Sequence, residues 1–456
     1  MIKGFYSRSL RVLPRKDLAK VVLVVVIQVG LSVLDLVGVA LIGILGALTV
    51  SGIQSRSPNG GIERILSGLG ISDLEFQQQA AVLGLSAASI LVIRTIFSIL
   101  STRKVLHFLS ARGAYISSTL IGKLLAQPIT DITKRTSQET LYALTNGVMN
   151  ITLGVIGNSV ALLADLSLLI VLFLGLVVVD TLVAVSTMIL FTAIGLILYK
   201  LLHQKAQRLG QSQAIITVQS NERIVEIVQG YREAAVKNRR GFYAQEISHL
   251  RFALSRDLAE SSFLPYIGKY VIETTVIIGA LAISAVQFSL SDAARAVATL
   301  SIFLAAGTRI APAVLRIQQS GIQLKAALGS AGPTLDLISE LADKESLHDD
   351  GEQSPRFEYP NFIGEVKLRE VSFKYPNAER LALDGIDIEV KHGQFVAITG
   401  ASGAGKSTLA DIILGLLRPT SGSITISGLE PVAAIKKWSG AIAYVPQDVQ
   451  IGRAHV

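Results

Sequence analysis

The nine residues Gly400-Ala-Ser-Gly-Ala-Gly-Lys-Ser-Thr408 have types and spacing suited to gripping a chain of phosphates. Glycine lets consecutive backbone N–H groups turn toward one anion. An apolar run, Phe395–Thr399, leads into the loop, and a helical pattern follows it through Gly415. Strand, loop and helix in that order are the setting in which this pattern binds a nucleoside triphosphate. The helix N-terminus adds positive potential. Lys406 is expected to reach the β- and γ-phosphates and Ser407 to hold Mg²⁺. Gly400, Ser402, Gly403, Ala404, Gly405 and Thr408 complete the expected cradle.

A second group of chemically capable residues lies in apolar sequence. Asp35, Arg94, Asp165, Glu273, Arg309 and Arg316 fall in or beside hydrophobic runs. Charge is costly in lipid, so such groups face a bundle interior or a wet cavity. Both signs are present, which makes pairing between helices the expectation. Contact with a charged substrate is the alternative.

The elements that carry these residues are of two kinds. A helix crosses the hydrocarbon core with about 20 apolar residues. Six runs qualify, at approximately 21–50, 80–100, 151–179, 182–202, 263–288 and 293–315. The turns around Asp180 and at Gln287–Asp292 are short and carry no Lys or Arg. The segments after the second and fourth runs are long and basic, with Arg103, Lys104, Arg112 and Lys123 in one and Lys205, Arg208, Arg223 and Arg232 in the other. The positive-inside rule places them, and both termini, in the cytoplasm. Leu100–Leu125 and His203–Val228 continue the helical pattern, with turns expected at Gln127–Pro128 and Gln229–Gly230. Two helical levers reaching an ATP-binding domain are expected there; a pair of solvated helical hairpins is the alternative. Ile62, Ile65, Leu66, Leu69 and Ile71 suggest either a short amphipathic helix at the outer interface or ordinary loop packing.

Composition supports a membrane protein. Of 456 residues, 50% are hydrophobic and 17% charged, against about 25% charged in soluble proteins. The net charge of +8 follows the membrane topology and does not call for nucleic acid. There are no cysteines, which excludes disulfides, thiolate metal sites and cysteine nucleophiles. Lys3, Arg8, Arg11, Arg15, Lys16 and Lys20 precede the first apolar run, Val21–Val50. That run exceeds the about 7–15 residues of a signal peptide's apolar region, so a retained span is expected.

The segment around the phosphate loop resembles the nucleotide-binding domain of ATP-binding cassette (ABC) transporters. The loop matches the family form Gly-x-x-Gly-x-Gly-Lys-Ser-Thr. Phe373-Lys-Tyr375-Pro376 resembles the family's aromatic motif, which implies that Tyr375 stacks on adenine. Val445-Pro-Gln447-Asp448 resembles its glutamine loop, which implies that Gln447 lies near Mg²⁺ and beside the lever. Lys406 and Gln447 are then the catalytic residues this stretch would supply. Six spans ahead of the cassette resemble the exporter arrangement. The implied fold is an α-helical transmembrane domain (1–324), a linker (325–362) and the N-terminal part of an α/β P-loop domain (363–450).

Within exporters, the likeness is to bacterial lipid-linked oligosaccharide flippases and polysaccharide exporters. It rests on the outer segment, Asp35 in the first span, and Ser301-Ile-Phe-Leu running to Arg309-Ile-Ala-Pro312. It implies a cavity holding Asp35, Arg309 and Arg316 that meets a lipid pyrophosphate. It further implies ATP and Mg²⁺ as cofactors, and a homodimer or a related half-transporter as partner. The setting would be the cell (inner) membrane, and the substrate amphiphilic. A general lipid or drug exporter, or a non-transporting ATP-gated membrane protein, is the alternative.

The family's Leu-Ser-Gly-Gly-Gln signature, Asp-Glu strand end and switch histidine are not found in the 456 residues. Leu66-Ser-Gly-Leu-Gly70 and Gln319-Ser-Gly-Ile-Gln323 precede the loop and are misplaced. The final residues, 451–456, fit codons that resemble a sequencing adapter, so a C-terminal truncation by an artefactual tail is expected. A decayed gene is the alternative. The chain as given is expected not to turn over ATP alone.

Overall fold

The computed structural model describes residues 6, 8–9, 12, 14–53, 74–179, 181–290, 293–346, 359–376 and 378–445. The outer segment 54–73, Asp180, the acidic linker stretch 347–358, Gln447 and the tail 451–456 lie outside the described residues. The chain divides into two compact units, one of residues 1–120 and 137–342, the other of 121–136 and 343–456.

The first unit is built from helices, five of them at least 38 residues long. They are α1 (Arg15–Ile53), α2 (Phe76–Leu125, mostly in this unit), α4 (Ser137–Tyr142), α5 (Asn158–Val179), α6 (Thr181–Gln229), α7 (Tyr231–Val236), α8 (Arg240–Leu290), α9 (Ala293–Ser330) and α10 (Gly332–Glu340). The four-residue α3 (Ile129–Ile132) belongs to the second unit. Between α4 and α5 the chain widens into two π-helical stretches, Ala143–Gly147 and Asn150–Gly157.

Among the described residues, five helices are long and apolar enough to cross a membrane: Lys16–Ile42, Phe76–Leu125, Ser137–Val177, Ala184–Gln229 and Arg240–Ala282. The sixth expected span is the continuous helix α9, which is not among the five. The segment expected to begin a linker at Lys325 is still helix and continues as α10.

Burial is inverted relative to a soluble protein. Leu85, Ile189 and Leu281 are 65–70% exposed on the helix exteriors, as a lipid-facing surface requires. The inner core joins Phe191, Leu198, Leu264, Ile272, Phe303 and Ile310 from α6, α8 and α9. Small residues set how closely α6 and α9 approach. A Cβ on Gly210 would lie 2.0 Å from the Ala326 carbonyl oxygen, and one on Gly329 would lie 2.1 Å from that of Gln207. The N-terminal segment is tied to α10, with Arg8 donating to the Leu335 carbonyl (2.8 Å) and to Asp336 (3.1 Å).

The second unit holds β1 (Val366–Phe373), β2 (Leu383–Val390), α11 (Lys406–Ile413), β3 (Ser421–Ile426) and α12 (Pro431–Lys437). The three strands form an antiparallel sheet in the order β2-β1-β3. Val366 pairs with both Val390 and Ile426, which fixes the register at one end. Leu368, Val371, Phe373, Leu409, Ile412 and Ile424 pack between the sheet and α11. Phe395–Thr399, expected as a strand, has no regular secondary structure and lies outside the sheet. An apolar strand of this kind is normally paired on both edges and covered on both faces. Among the described residues nothing pairs with it, and Phe395 is 95% exposed.

Candidate functional site

The phosphate loop forms as its glycines dictate. Gly405, the residue before α11, has φ +87°, a left-handed conformation that L side chains resist. A Cβ there would also lie 2.6 Å from the Ala382 carbonyl oxygen. Gly405 is therefore required both by its dihedral and by the close pass of the chain before β2. Gly403, at φ +81°, makes the preceding turn.

Lys406 Nζ donates to the carbonyls of Gly400 (3.0 Å) and Ala401 (2.8 Å), so the ammonium is folded over its own loop. Ser407 is exposed at the first turn of α11, and Thr408 is buried beside it. Tyr375 follows the end of β1. Its ring meets Phe373 edge-on, with centroids 4.8 Å apart, and its hydroxyl lies 3.1 Å from Thr408 Oγ1. The structure thus brings Tyr375, Lys406, Ser407 and Thr408 into one neighbourhood, with Gly400, Ser402, Gly403, Ala404 and Gly405 forming the loop. Gln447 lies outside the described residues.

These residues suit a nucleotide and its cation. The loop is exposed, the Lys406 ammonium and the exposed Ser407 flank it, and the partly exposed Tyr375 ring stands alongside. Such a donor set binds phosphate oxygens, a divalent ion and a base respectively.

The second unit also contains the turn after α2. Ile129, on α3, packs against the core formed by the sheet and α11. Asp131 accepts from Lys134 at 2.6 Å, and Lys344 lies at 3.9 Å. The Lys134 hydrogen bond, with charge from both lysines, holds the Asp131 carboxyl below the usual carboxylate range. That stabilisation is complete above the usual range and is lost only as pH falls through the lowered value. Docking of α3 should therefore be insensitive to pH near neutrality. Ile129→Asp should be disruptive, because it swaps a half-buried apolar side chain for a charge. We expect a loss of about 2 kcal/mol, or roughly thirtyfold faster hydrogen exchange in residues 121–136. Unchanged protection would show that Ile129 does not hold the contact.

In the first unit, a cavity of about 460 Å³ is lined by Asp35, Arg94, Asp165, Thr308, Arg309 and Arg316, among others. Arg94 pairs with Asp35 at 3.4 Å and Arg316 with Asp165 at 2.7 Å. Helix-to-helix pairing thus accounts for four of the six intramembrane charges singled out in the sequence. Glu273 sits 4.0 Å from Lys269 on its own helix. Arg309 has no carboxylate within ion-pair reach among the described residues.

Sequence reasoning did not find β3, α12, the Tyr375–Thr408 contact or the part Ile129 plays. The apolar alternation Ile424, Ile426 could have marked β3. The Tyr375–Thr408 contact and the part Ile129 plays depend on residues far apart in the chain.

A glycine loop with a lysine at a helix start, in a chain that also has membrane-length helices, fits a membrane-associated protein that binds a nucleotide. Residues 383–455 match the ABC transporter family, and the chain resembles an ABC exporter half-transporter. It is 33% identical over 152 residues to the ATP-dependent lipid A-core flippase of Chromobacterium violaceum, covering 33% of this chain and 24% of the relative. It is 40% identical over 92 residues to the energy-coupling factor transporter ATP-binding protein EcfA1 of Mycoplasmopsis synoviae, covering 19% of this chain and 35% of that protein. The alignments therefore span about a quarter of the flippase and a third of EcfA1. Among solved structures, a bacterial Atm1-family ABC exporter with ATP bound superposes with TM-score 0.60 at 15% identity, covering 91% of this chain and 69% of that one. That likeness establishes an exporter-type fold.

Proposed function

We propose that this chain forms the membrane domain and leading cassette portion of a dimeric ABC exporter that uses ATP to move an amphiphilic substrate. The observation that carries the reading is the union, in one polypeptide, of five membrane-length helices and a formed phosphate loop. The Chromobacterium violaceum relative, described as a lipid A-core flippase, supports a substrate with an apolar tail and a large polar head.

The cassette residues would divide the work as follows. Bound nucleotide supplies the free energy, through differential affinity for two states of the transporter. Lys406 would neutralise phosphate charge, Ser407 would fix the cation and Tyr375 would carry the base. Gln447 would join the cation and the lever. Ile129, seated on the core beneath α11, would carry any shift of that helix into the turn after α2. The sixth span is assigned to α9, with both termini on the cytoplasmic side of the cell (inner) membrane. The partner would be a second copy or a related half-transporter.

The cavity narrows the substrate class. Two pairs cancel and Arg309 is left over, so the lining of Asp35, Arg94, Asp165, Arg309 and Arg316 carries one net positive charge. An anionic headgroup, such as the phosphate of a lipid-linked oligosaccharide, matches that charge. The test is binding of a fluorescent lipid diphosphate and of its neutral alcohol to the chain in lipid nanodiscs. Arg309→Ala should weaken the diphosphate about tenfold, the scale of one charge-assisted hydrogen bond, and leave the alcohol unchanged. Equal binding of both lipids by the unaltered chain would overturn the anionic-substrate reading.

A further inference from the structure

Thr408 is the last residue of the phosphate-loop pattern, and the pattern alone makes it one more phosphate contact. The structure gives its hydroxyl a different partner. Thr408 is buried to 7% relative exposure, and its Oγ1 meets the Tyr375 hydroxyl at 3.1 Å. A threonine in the first turn of a helix commonly satisfies its hydroxyl on a nearby backbone group. Here the hydroxyl reaches a residue 33 positions away.

Tyr375 is gripped at two points. Its ring stands nearly perpendicular to that of Phe373, a core residue at the end of β1, and its hydroxyl meets Thr408 on α11. The residue is 38% exposed, which leaves part of it open to a ligand. Lys406 and Thr408 lie on the same first turn of α11. One hydrogen bond therefore ties the base platform to the element that carries the phosphate-binding ammonium. A tyrosine left with only a ring contact would keep rotamer freedom, and ordering it on binding costs affinity.

We propose that Thr408 is a positioning residue, whose hydroxyl holds the Tyr375 ring at a set distance from the phosphate loop, so that base and phosphates are read as one unit. The proposal rests on the nucleotide-binding reading above and deepens it. It makes the Tyr375 hydroxyl, and not only its ring, part of the site.

The test uses the full 456-residue chain in detergent with Mg²⁺, and two probes, ATP and inorganic tripolyphosphate. Tyr375→Phe keeps the ring and removes the hydroxyl. Thr408→Val keeps the shape and removes the other hydroxyl. Each should weaken ATP about fivefold, the worth of one net hydrogen bond, and the double variant should lose no more than either alone. Thr408→Ser should retain full ATP affinity. Tripolyphosphate, which lacks a base, should bind all four variants equally, and that equality also reports that the loop is intact.

Weaker tripolyphosphate binding by Thr408→Val would make Thr408 a phosphate ligand and overturn the proposal. Additive losses in the double variant would overturn it too. If the unaltered chain binds tripolyphosphate no better than Lys406→Ala does, the nucleotide-binding reading falls and this proposal with it. Intact binding with additive losses removes only the proposal.

Discussion

Lys406→Ala lowers the affinity of the chain for Mg-ATP by about 100-fold; this is the largest single effect expected in the cassette. The side chain is already at the loop, with Nζ on the Gly400 and Ala401 carbonyls at 3.0 and 2.8 Å. Nucleotide binding would exchange these neutral acceptors for charged phosphate oxygens, and a hydrogen bond to a charged group is worth about 1.5–3 kcal/mol. Losing the equivalent of about 3 kcal/mol gives the stated factor. Alanine also frees both loop carbonyls, so the loop loses its internal tie as well as its charge. Lys406→Arg should recover little, because a planar fork cannot fold over the loop as a point charge does. The readout is equilibrium binding of a fluorescent ATP analogue. An affinity within threefold of the unaltered chain would remove Lys406 from the site.

The phosphate loop was legible because its chemistry is local. Two glycines at positive φ and a helix start suffice to build it, and all are consecutive in the chain. The long helices were legible for a similar reason, since apolar runs and breaker pairs such as Gln127–Pro128 and Gln229–Gly230 mark their bounds. The strand expected at Phe395–Thr399 failed because a strand is a relation between segments. Its side chains have the right types, but among the described residues nothing pairs with it. The ion pairs Arg94–Asp35 and Arg316–Asp165 were foreseeable as a class and not as pairs, since their members lie 59 and 151 positions apart. The helix seam was hidden more thoroughly. Gly210 and Gly329 look in sequence like weak points of helices, because glycine costs about 1 kcal/mol relative to alanine there. Only the structure shows each facing the backbone of the other's helix.

That seam reverses the usual sign of a substitution. In an unpacked helix, glycine to alanine stabilises by about 1 kcal/mol. At Gly210 a Cβ would meet the Ala326 carbonyl oxygen at 2.0 Å and carbon at 2.8 Å; at Gly329 it would meet the Gln207 oxygen at 2.1 Å and the Gln211 nitrogen at 2.9 Å. These are backbone atoms of α6 and α9, not the ends of flexible side chains, so the helices themselves must part. The close approach also permits Cα–H···O contacts that separation would lose. Gly210→Ala and Gly329→Ala should therefore each destabilise the bundle by about 2–3 kcal/mol. Their double should fall short of the sum, because helices already parted meet the second methyl with less resistance. Gly195 supplies the control, since it lies in the same helix α6 with nothing within 4 Å of its added Cβ. Gly195→Ala should be neutral or stabilising. Thermal scans of the four detergent-solubilised proteins, read as the fraction still monodisperse, separate the cases. If Gly210→Ala and Gly195→Ala shift the midpoint alike, the α6–α9 seam is not close-packed. If they shift it in opposite directions, the two glycines are what let these helices touch.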